Sequence, residues 1–440
     1  MAGVEMKDLL KEETVGGAQA ILVGLITRGR DEIECEVSMD ELERLLDTAG
    51  GSVYARMVQA KDTPDTRTCI GSGKVEELAE LCRGGDIKLV IFDCDLSPAQ
   101  IKNLEKELDS AGEIRVIDRS MLILDIFALH ATSAEGKLQV ELAQLKYTIP
   151  RLSGHGTEMS RLGGGIGTRG PGESKLESDR RHIKRRIAAL EEDIRNLEAA
   201  RATQRKQREK SGLPKVAVAG YTNAGKSTLL NALTGAGILA EDKLFATLDP
   251  TTRKFELPDG TEILLTDTVG FIRNLPHHLI SAFRSTLEEV LYADVILVVL
   301  DFSDPECDAQ LAVTKQLITE LGAGDKPILY ALNKCDVRAE GAIKPADADS
   351  AHTVEISALT GTGLETLVDA LGEIIREGKR DLWYHFDHTQ GAQSSQLYKY
   401  AAVLRCEYLD DGIYMLATSD KKAQGMFADH LCEKPEGIDD

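Results

Sequence analysis

The sequence predicts an α/β protein whose centre is a doubly wound, mostly parallel sheet. From Val216 onward, short continuous apolar strands alternate with helical patterns, which is typical of parallel strands buried on both faces. The 440 residues are enough for about three domains at roughly 150 residues each. Hydrophobic residues make up 42% and charged residues 28%, as in soluble globular proteins, so each domain can have its own core.

The N-terminal part predicts a smaller α/β domain over residues 18–130, after a flexible tail over residues 1–17. Asp118 has the position of a helix cap at the end of this domain. Strand patterns occupy 21–26, 52–60, 88–93 and 114–118, and a helical pattern occupies 97–112. The run GSGK at 71–74 lacks the first glycine of a phosphate-binding loop, so we interpret it as a turn and helix start.

A long antiparallel helical arm with a glycine-rich loop is predicted over residues 131–212. Eight glycines fall between 154 and 172, a density that excludes regular structure. Apolar residues then repeat at spacings of four, three, four and three, which predicts a long helix packed on another helix, here the pattern at 135–147. The repeating residues are Ile183, Ile187, Leu190, Ile194 and Leu197.

The remaining patterns predict two further domains. The strand and helix alternation gives a central domain over residues 213–380. The order strand, helix, strand, strand, helix then predicts a small C-terminal α+β domain over residues 381–440, with a hairpin turn at LDDG, residues 409–412.

Composition restricts the location and the partners. The net charge of −21 argues against binding to nucleic acid or anionic membranes through overall composition. No apolar run approaches the length of a membrane span, and the N-terminus lacks the pattern of an export signal. The eight cysteines are scattered without metal-like spacing. We therefore expect a cytoplasmic protein with reduced thiols and no membrane partner. As separate expectations, we take the protein to be a monomer and to be partly associated with ribosomes.

A phosphate-binding loop stands at the start of the central domain. The sequence VAVAGYTNAGKST is an apolar strand followed by G-x-x-x-x-G-K-S and a helical pattern. Gly220 and Gly225 let backbone N–H groups approach a phosphate, while Lys226 reaches the β- and γ-phosphates. Ser227 supplies a hydroxyl to Mg²⁺. This part of the chain is therefore predicted to be a P-loop domain.

Two further loops select guanine. NKCD at 333–336 and SAL at 357–359 each follow a buried strand. Asp336 can accept from the N1–H and 2-amino groups of guanine, which adenine does not offer. Asn333 can reach the O6/N7 side, Lys334 can pack along the ring, and the Ala358 N–H can donate to O6. Mismatched buried polar groups would cost adenine about 1–3 kcal/mol each. The predicted ligands are GTP and GDP.

The sequence DTVG at 267–270 is predicted to act as a switch segment, one that contacts Mg²⁺ and the γ-phosphate and so responds to the bound nucleotide. Asp267 can hold the Mg²⁺ shell through water, and the Gly270 N–H can contact the γ-phosphate. Between this motif and the P-loop, LFATLDPTTR offers Thr247, Thr251 and Thr252 as the hydroxyl that completes Mg²⁺ coordination. Spacing alone does not choose among them.

The chain resembles the HflX family of translation-factor-related GTPases in three segments. These are LFATLDPTTRKF, GGGIGTRGPGESKLESDRR and DRSMLILDIFALHATSAEGKLQVELAQLKY. The resemblance covers nearly the whole chain and implies Thr247 as the metal ligand, with Lys226, Thr247 and Gly270 catalytic. It also implies binding to the large ribosomal subunit and the 70S ribosome, with splitting or rescue under stress. The predicted nucleotide contacts are Gly220, Tyr221, Thr222, Asn223, Ala224, Gly225, Lys226, Ser227, Thr228, Phe245, Ala246, Thr247, Leu248, Asp249, Asp267, Thr268, Val269, Gly270, Asn333, Lys334, Cys335, Asp336, Ser357, Ala358 and Leu359.

Phe271 occupies the position where Ras-like GTPases have the glutamine that orients the attacking water. A phenyl ring cannot orient water by hydrogen bonding, so intrinsic hydrolysis should be slow. Backbone groups, another side chain, a monovalent cation or a partner must then hold the water. Asn223 lies where related potassium-stimulated GTPases hold K⁺ with an asparagine, so K⁺ is a candidate cofactor beside Mg²⁺.

The arm carries a local positive charge. Residues 151–215 contain 16 Lys or Arg and 9 Asp or Glu. Charges on such a helix often do no more than keep one helix face in solvent. The adjoining glycine-rich loop favours RNA, because its backbone N–H groups are available to phosphates. The RNA-contact candidates are Arg161, Arg169, Arg180, Arg181, Lys184 and Arg185.

Three functions fit these features. The first is a Mg²⁺-dependent GTPase that uses nucleotide state to switch its hold on the ribosome. The second is a nucleotide-regulated, ATP-using RNA-remodelling or ribosome-assembly factor, which the base preference set by Asp336 would distinguish. The third is a scaffold that binds GTP with negligible hydrolysis, which single-turnover rates with and without ribosomes would separate.

Overall fold

The computed structural model describes residues 15–109, 113–151, 171–209, 213–235, 244–245, 251–273, 289–338, 344–345, 348, 352–377 and 379–435. The chain divides into two compact units. The first comprises Met1–Glu198, Ala240–Asp249 and Val269–Leu287, and the second comprises Ala199–Leu239, Pro250–Thr268 and Glu288–Asp440. None of the described helices has the length and apolar content that a membrane span requires. The domain boundaries drawn from the sequence remain predictions.

The first unit contains a parallel sheet with the strand order β2-β1-β3-β4. Its strands are β1 (Gln19–Ile26), β2 (Ser52–Ala60), β3 (Leu89–Phe92) and β4 (Arg115–Asp118), and its helices are α1 (Glu32–Thr48), α2 (Ser72–Gly85), α3 (Pro98–Leu108) and α4 (Arg119–His130). All four strands were predicted. The strand order changes direction between β1 and β3, and the carboxyl ends of such a pair flank the usual ligand crevice of open parallel sheets.

Helix starts in this unit follow capping chemistry that is readable in the sequence. Ser97 and Gln100 form a capping box at the start of α3. The Asp118 carboxylate accepts from the Met121 N–H at 3.0 Å, so the predicted cap of α4 is confirmed. Gly71 is the N-cap of α2, which confirms the helix start read from GSGK.

Residues 15–17, the end of the predicted tail of residues 1–17, are packed. Val15 is only 3% exposed, and the Gly17 N–H donates to the Gly50 carbonyl at 2.7 Å. Burial and a backbone hydrogen bond both oppose a flexible end. The rest of the predicted tail, residues 1–14, lies outside the described residues.

Two helices of the arm, α5 (Ala134–Thr148) and α6 (Pro171–Glu209), pack through an apolar seam, as predicted. Its buried members are Leu142, Leu145, Ile183, Leu190 and Ile194. Arg186 adds a bidentate pair to Glu141, with both N–H···O distances at 2.7 Å. The glycine-rich segment between the two helices, residues 152–170, lies outside the described residues.

The second unit contains a sheet with the strand order β10-β9-β8-β5-β7-β6. Its strands are β5 (Lys215–Gly220), β6 (Thr251–Glu256), β7 (Glu262–Asp267), β8 (Val295–Asp301), β9 (Ile328–Asn333) and β10 (Thr353–Glu355), and its helices are α7 (Lys226–Thr234), α8 (Cys307–Glu320) and α9 (Leu364–Glu377). Strand β6 is antiparallel to β7, and the other pairings are parallel. The predicted mostly parallel sheet is therefore confirmed, although β6 was not predicted. The sequence also predicts a helix around residues 279–292, of which 279–288 lie outside the described residues.

The last described segment is a small α+β fold with an antiparallel sheet. Its elements are β11 (Lys379–Phe386), α10 (Gly391–Tyr400), β12 (Ala401–Leu409), β13 (Gly412–Asp420), α11 (Lys421–Met426) and β14 (Leu431–Cys432). The order βαββαβ with β12-β13-β11-β14 adjacency is the ferredoxin-like arrangement. One face buries Tyr384, Phe386 and Met415 against Phe427. The predicted element order is confirmed, and β14 extends it.

Candidate nucleotide-binding site

The predicted nucleotide-binding segments of the second unit meet at one edge of its sheet. Strand β5 ends at Gly220, β7 ends at Asp267 and β9 ends at Asn333. Because these strands run parallel, their carboxyl ends lie along the same edge, where doubly wound sheets place their ligands. Strand β8 lies between β5 and β9 and is buried from Val295 to Leu300. This apolar core holds the strands, and therefore their carboxyl ends, in place.

Two P-loop glycines are required by space as well as by backbone angle. Gly220 has φ +146°, and a Cβ there would lie 2.2 Å from the Val299 carbonyl oxygen. Gly225 has φ +90°, and a Cβ there would lie 2.3 Å from the Asn333 amide nitrogen. No side chain fits either position without moving a neighbouring strand or loop. The loop can therefore curve tightly at the start of α7.

Lys226 begins α7 and points its ammonium back into the loop. Its Nζ donates to the Tyr221 carbonyl at 2.8 Å and to the Gly220 carbonyl at 3.2 Å. Burial lowers the pKa of Lys226 to about 8, and the nearby Asp267 carboxylate opposes that shift. A desolvated ammonium at a helix N-terminus is suited to bind a polyphosphate. The ammonium has already lost its water in the folded protein, so binding a phosphate removes little further solvent from it.

Ser227 and Asp267 place a hydroxyl oxygen and a carboxylate oxygen side by side. The Ser227 hydroxyl donates to Asp267 Oδ2 at 2.7 Å, and the Asp267 side chain is fully buried. Thr268 fixes the same segment by donating from its hydroxyl to the Val218 carbonyl at 2.8 Å. Hydroxyl and carboxylate oxygens are the ligands that Mg²⁺ prefers, so the residues present fit that metal.

Asn333 connects the P-loop to the loop after β10. Its amide nitrogen donates to the Ala224 carbonyl at 2.8 Å, and its amide oxygen accepts from the Ala358 N–H at 2.9 Å. The side chain is 2% exposed. Asn333 therefore braces the two loops, a role that sequence reasoning missed. The predicted contacts of Asn333 and Ala358 with the O6 side of guanine remain predictions.

The other residues of NKCD are oriented by local contacts. Lys334 has φ +63°, and its ammonium pairs with Asp301 at the end of β8 at 2.7 Å. The Cys335 N–H donates to the Ile356 carbonyl at 3.1 Å, which joins this turn to the segment before SAL. Asp336 is exposed and is therefore open to an incoming ligand. Asp301 was not predicted, and its position at a strand end beside the motif was the available signal.

SAL forms a turn of its own. Ser357 is fully buried, its N–H donates to the Thr362 carbonyl at 2.9 Å, and its hydroxyl accepts from the Thr360 N–H at 3.2 Å. Leu359 is 82% exposed. The turn therefore holds the Ala358 N–H at a fixed place beside Asn333.

The predicted switch residues are described only in part. Thr251 and Thr252 begin β6 in the second unit, where the Thr252 hydroxyl lies 3.0 Å from the Thr266 hydroxyl. Asp267 and Thr268 also belong to the second unit, and the other described switch residues belong to the first. Thr247 lies outside the described residues, as do Ala246, Leu248 and Asp249. Phe245 has φ +57°, is buried, and packs edge to face on Phe127 with ring centroids 4.7 Å apart. Phe271 is 1% exposed, consistent with a side chain that does not handle water.

The RNA-contact candidates on α6 are available at the surface. Arg180, Arg181, Lys184 and Arg185 are all exposed, whereas neighbouring Arg186 is held by Glu141. Arg161 and Arg169 lie outside the described residues. An outward row of exposed cations is compatible both with phosphate contact and with a solvated helix face, so these contacts remain predictions.

The second unit has a strand, a glycine-rich loop and a helix with a buried lysine. Asp267, NKCD and SAL lie at the same edge of its sheet, and together these features define a P-loop GTPase. Three family models match: "GTP-binding GTPase N-terminal" at 36–128, "GTP-binding GTPase Middle Region" at 130–208 and "50S ribosome-binding GTPase" at 215–334.

Curated relatives identify the family. GTPase HflX of Lacrimispora saccharolytica is 48% identical over 97% of this chain and 98% of its own length, and GTPase HflX of Escherichia coli is 39% identical over 90% and 92%. A GTP-binding protein from Sulfolobus solfataricus, solved with GDP, is 26% identical, with a TM-score of 0.42 over 82% of this chain and 99% of its own. The chain belongs to the GTPase HflX family.

Proposed function

We propose that this chain is a Mg²⁺-dependent GTPase that binds the large ribosomal subunit and the 70S ribosome, and uses its nucleotide state to split or rescue ribosomes under stress. The observation that carries the nucleotide part is the brace made by Asn333, which ties the P-loop to the loop expected to read the base. The ribosomal part is supported by the family model named for 50S binding at 215–334 and by the exposed cations of α6.

Each described site residue would have a separate task. Lys226 and the backbone N–H groups of the P-loop would bind the β- and γ-phosphates, and Asp336 would bind the guanine edge. Ser227 and, through water, Asp267 would hold Mg²⁺, with Thr247 as a further ligand expected from the sequence. When bound, Mg²⁺ neutralises charge on the β- and γ-phosphates. Gly270 would donate its N–H to the γ-phosphate, so loss of that phosphate would release DTVG.

Hydrolysis should depend on a monovalent cation, because the buried Phe271 cannot hold the attacking water. Asn223 is exposed in the P-loop with φ +61°. Its amide oxygen is the ligand that we propose for a cation beside the phosphates. We expect GTP turnover to be several-fold faster in KCl than in NaCl at equal ionic strength. Asn223→Ala should remove the difference without abolishing GDP binding. Equal turnover in the two salts would exclude K⁺.

Charge removal on α6 should weaken ribosome binding through lost phosphate contacts. For Arg181→Gln, the slope of log affinity against log salt should fall by about one for one lost phosphate contact. The matched control is Arg195→Gln, an exposed arginine of the same helix outside the candidate set. Sedimentation titrations with 50S subunits at several salt concentrations measure both. Equal slopes for the two variants would argue that these cations are only solvated.

The proposed function is tested by co-sedimentation with 30S, 50S and 70S particles in GDP and in a non-hydrolysable GTP analogue. We expect the analogue to favour binding to 50S and 70S particles and 50S subunits to accelerate GTP turnover. The splitting of 70S particles is then monitored by light scattering. Unchanged turnover with both 50S and 70S particles would remove the ribosome from this proposal and favour the GTP-binding scaffold.

A further inference from the structure

Two free cysteines of the first unit lie side by side although 25 positions separate them. Cys69 precedes α2, and Cys94 follows β3. Their sulfur atoms are 3.5 Å apart. A disulfide has about 2.05 Å between its sulfurs, so the two sulfurs would have to approach each other by about 1.5 Å for a bond to form.

The two cysteines differ in residue exposure. Cys69 is 1% exposed, whereas Cys94 is partly exposed. Cys94 lines a cavity of about 230 Å³ together with Arg30, Asp93, Asp95, Arg119 and Ser120. The cavity lies beyond the carboxyl ends of β1 and β3, where the strand order changes direction. A small polar molecule can therefore reach one member of the pair while the other stays covered.

Both cysteines are held in place by their neighbours. The residue before Cys94 is Asp93, whose buried carboxylate pairs with Arg30 and Arg119. The residue after it, Asp95, accepts from the Ser120 hydroxyl at 2.6 Å. Ion pairs and hydrogen bonds on both sides leave the Cys94 backbone little freedom to move away from its partner.

The position of Cys69 is fixed as well. It has φ +66°, which is uncommon for a residue other than glycine, and it exchanges two backbone hydrogen bonds with Asp65 at 2.8 and 2.9 Å. Strained backbone of this kind persists only where surrounding contacts enforce it.

We propose that Cys69 and Cys94 are a peroxide-sensitive thiol pair, in which a hydroperoxide entering the cavity oxidises Cys94 and Cys69 then closes a reversible disulfide. Cys94 sulfur attacks one peroxide oxygen, the O–O bond breaks, and a sulfenic acid and one water form. Cys69 sulfur then attacks Cys94 sulfur, the S–O bond breaks, and the leaving hydroxide takes a proton to become the second water. Two thiols lose two electrons and two protons in total, and one hydrogen peroxide becomes two waters.

The hydrogen bond between the thiols supports this chemistry. It lowers the pKa of Cys69 and raises that of Cys94, so Cys69 ionises first, and its thiolate can accept the Cys94 proton as the Cys94 sulfur attacks the peroxide. By contrast, burial raises the pKa of Cys82 to about 11 and of Cys307 to about 12, which keeps these thiols inert. In a reducing compartment the pair would be reduced at rest and oxidised transiently.

The test oxidises the full-length protein with hydrogen peroxide, alkylates the remaining thiols in denaturant and maps the peptides by mass spectrometry. We expect a Cys69 to Cys94 cross-linked peptide, the loss of two titratable thiols, and their recovery with dithiothreitol. In Cys69→Ser, dimedone should label Cys94, because the sulfenic acid has no resolving thiol. The matched control Cys82→Ser, which removes another buried thiol of the same unit, should form the cross-link normally.

Two results would overturn the proposal. One is oxidation of the wild-type chain at other cysteines while Cys69 and Cys94 stay alkylatable. The other is dimedone labelling of Cys94 in the wild-type chain without a cross-link. Both are read on the wild-type protein, so they hold even if a serine variant fails to fold.

Discussion

Asp336→Asn should lower GTP affinity by about 100-fold or more and create a preference for xanthosine triphosphate. The carboxylate is exposed at the end of NKCD, where it can accept from both N1–H and the 2-amino group of guanine. Hydrogen bonds to a charged acceptor are worth about 1.5–3 kcal/mol each, so losing two of them accounts for that factor. Xanthine offers a carbonyl in place of the 2-amino group, to which an asparagine amide can donate.

The measurement is competition between GTP and XTP for a fluorescent GDP analogue, followed by turnover with each nucleotide. The matched control is Asp369→Asn, which removes one exposed carboxylate from α9 of the same unit and should change neither affinity. Asp336→Asn also tests the alternative function as an ATP-using RNA-remodelling factor. ATP-driven remodelling of RNA that continued unchanged in Asp336→Asn, together with unaltered GTP affinity, would contradict guanine as the ligand of this site.

Motifs with fixed spacing made much of the candidate site predictable. The P-loop, DTVG, NKCD and SAL each place chemistry directly after an apolar strand, and parallel strands bring such ends to one edge. Contacts distant in sequence were not predictable. Asn333 and Ala224 are 109 positions apart, and no local pattern shows that an amide joins them. The pairing of Lys334 with Asp301 escaped prediction for the same reason.

Two missed elements have different explanations. Strand β6 reads TTRKFE, and it is half exposed at the sheet edge, so it lacks the apolar run that marked the other strands. Helix α1 buries Cys35, Met39, Leu42 and Leu46, at spacings of four, three and four. That period was visible in the sequence, between two strands that need a crossover. The helix was therefore predictable and was not predicted.

Gly225→Ala should weaken nucleotide binding by at least about 100-fold while the rest of the chain stays folded. The added methyl would lie 2.3 Å from the Asn333 amide nitrogen, in a backbone conformation with φ +90°. Relieving the clash displaces Asn333 from both Ala224 and Ala358. Buried polar groups left unsatisfied cost about 1–3 kcal/mol each, and backbone strain adds about 1–3 kcal/mol, so GDP affinity should fall by at least about 100-fold.

Gly235→Ala is the matched control, because Gly235 stands at the other end of α7 with φ +63° and nothing within 4 Å of an added Cβ. It shares the left-handed strain without the clash, so it should cost about 1–2 kcal/mol of stability and leave GDP affinity nearly unchanged. Titration with a fluorescent GDP analogue and thermal unfolding separate the two effects. Equal GDP affinity in the two variants would mean that the Asn333 brace does not hold the P-loop in its binding conformation.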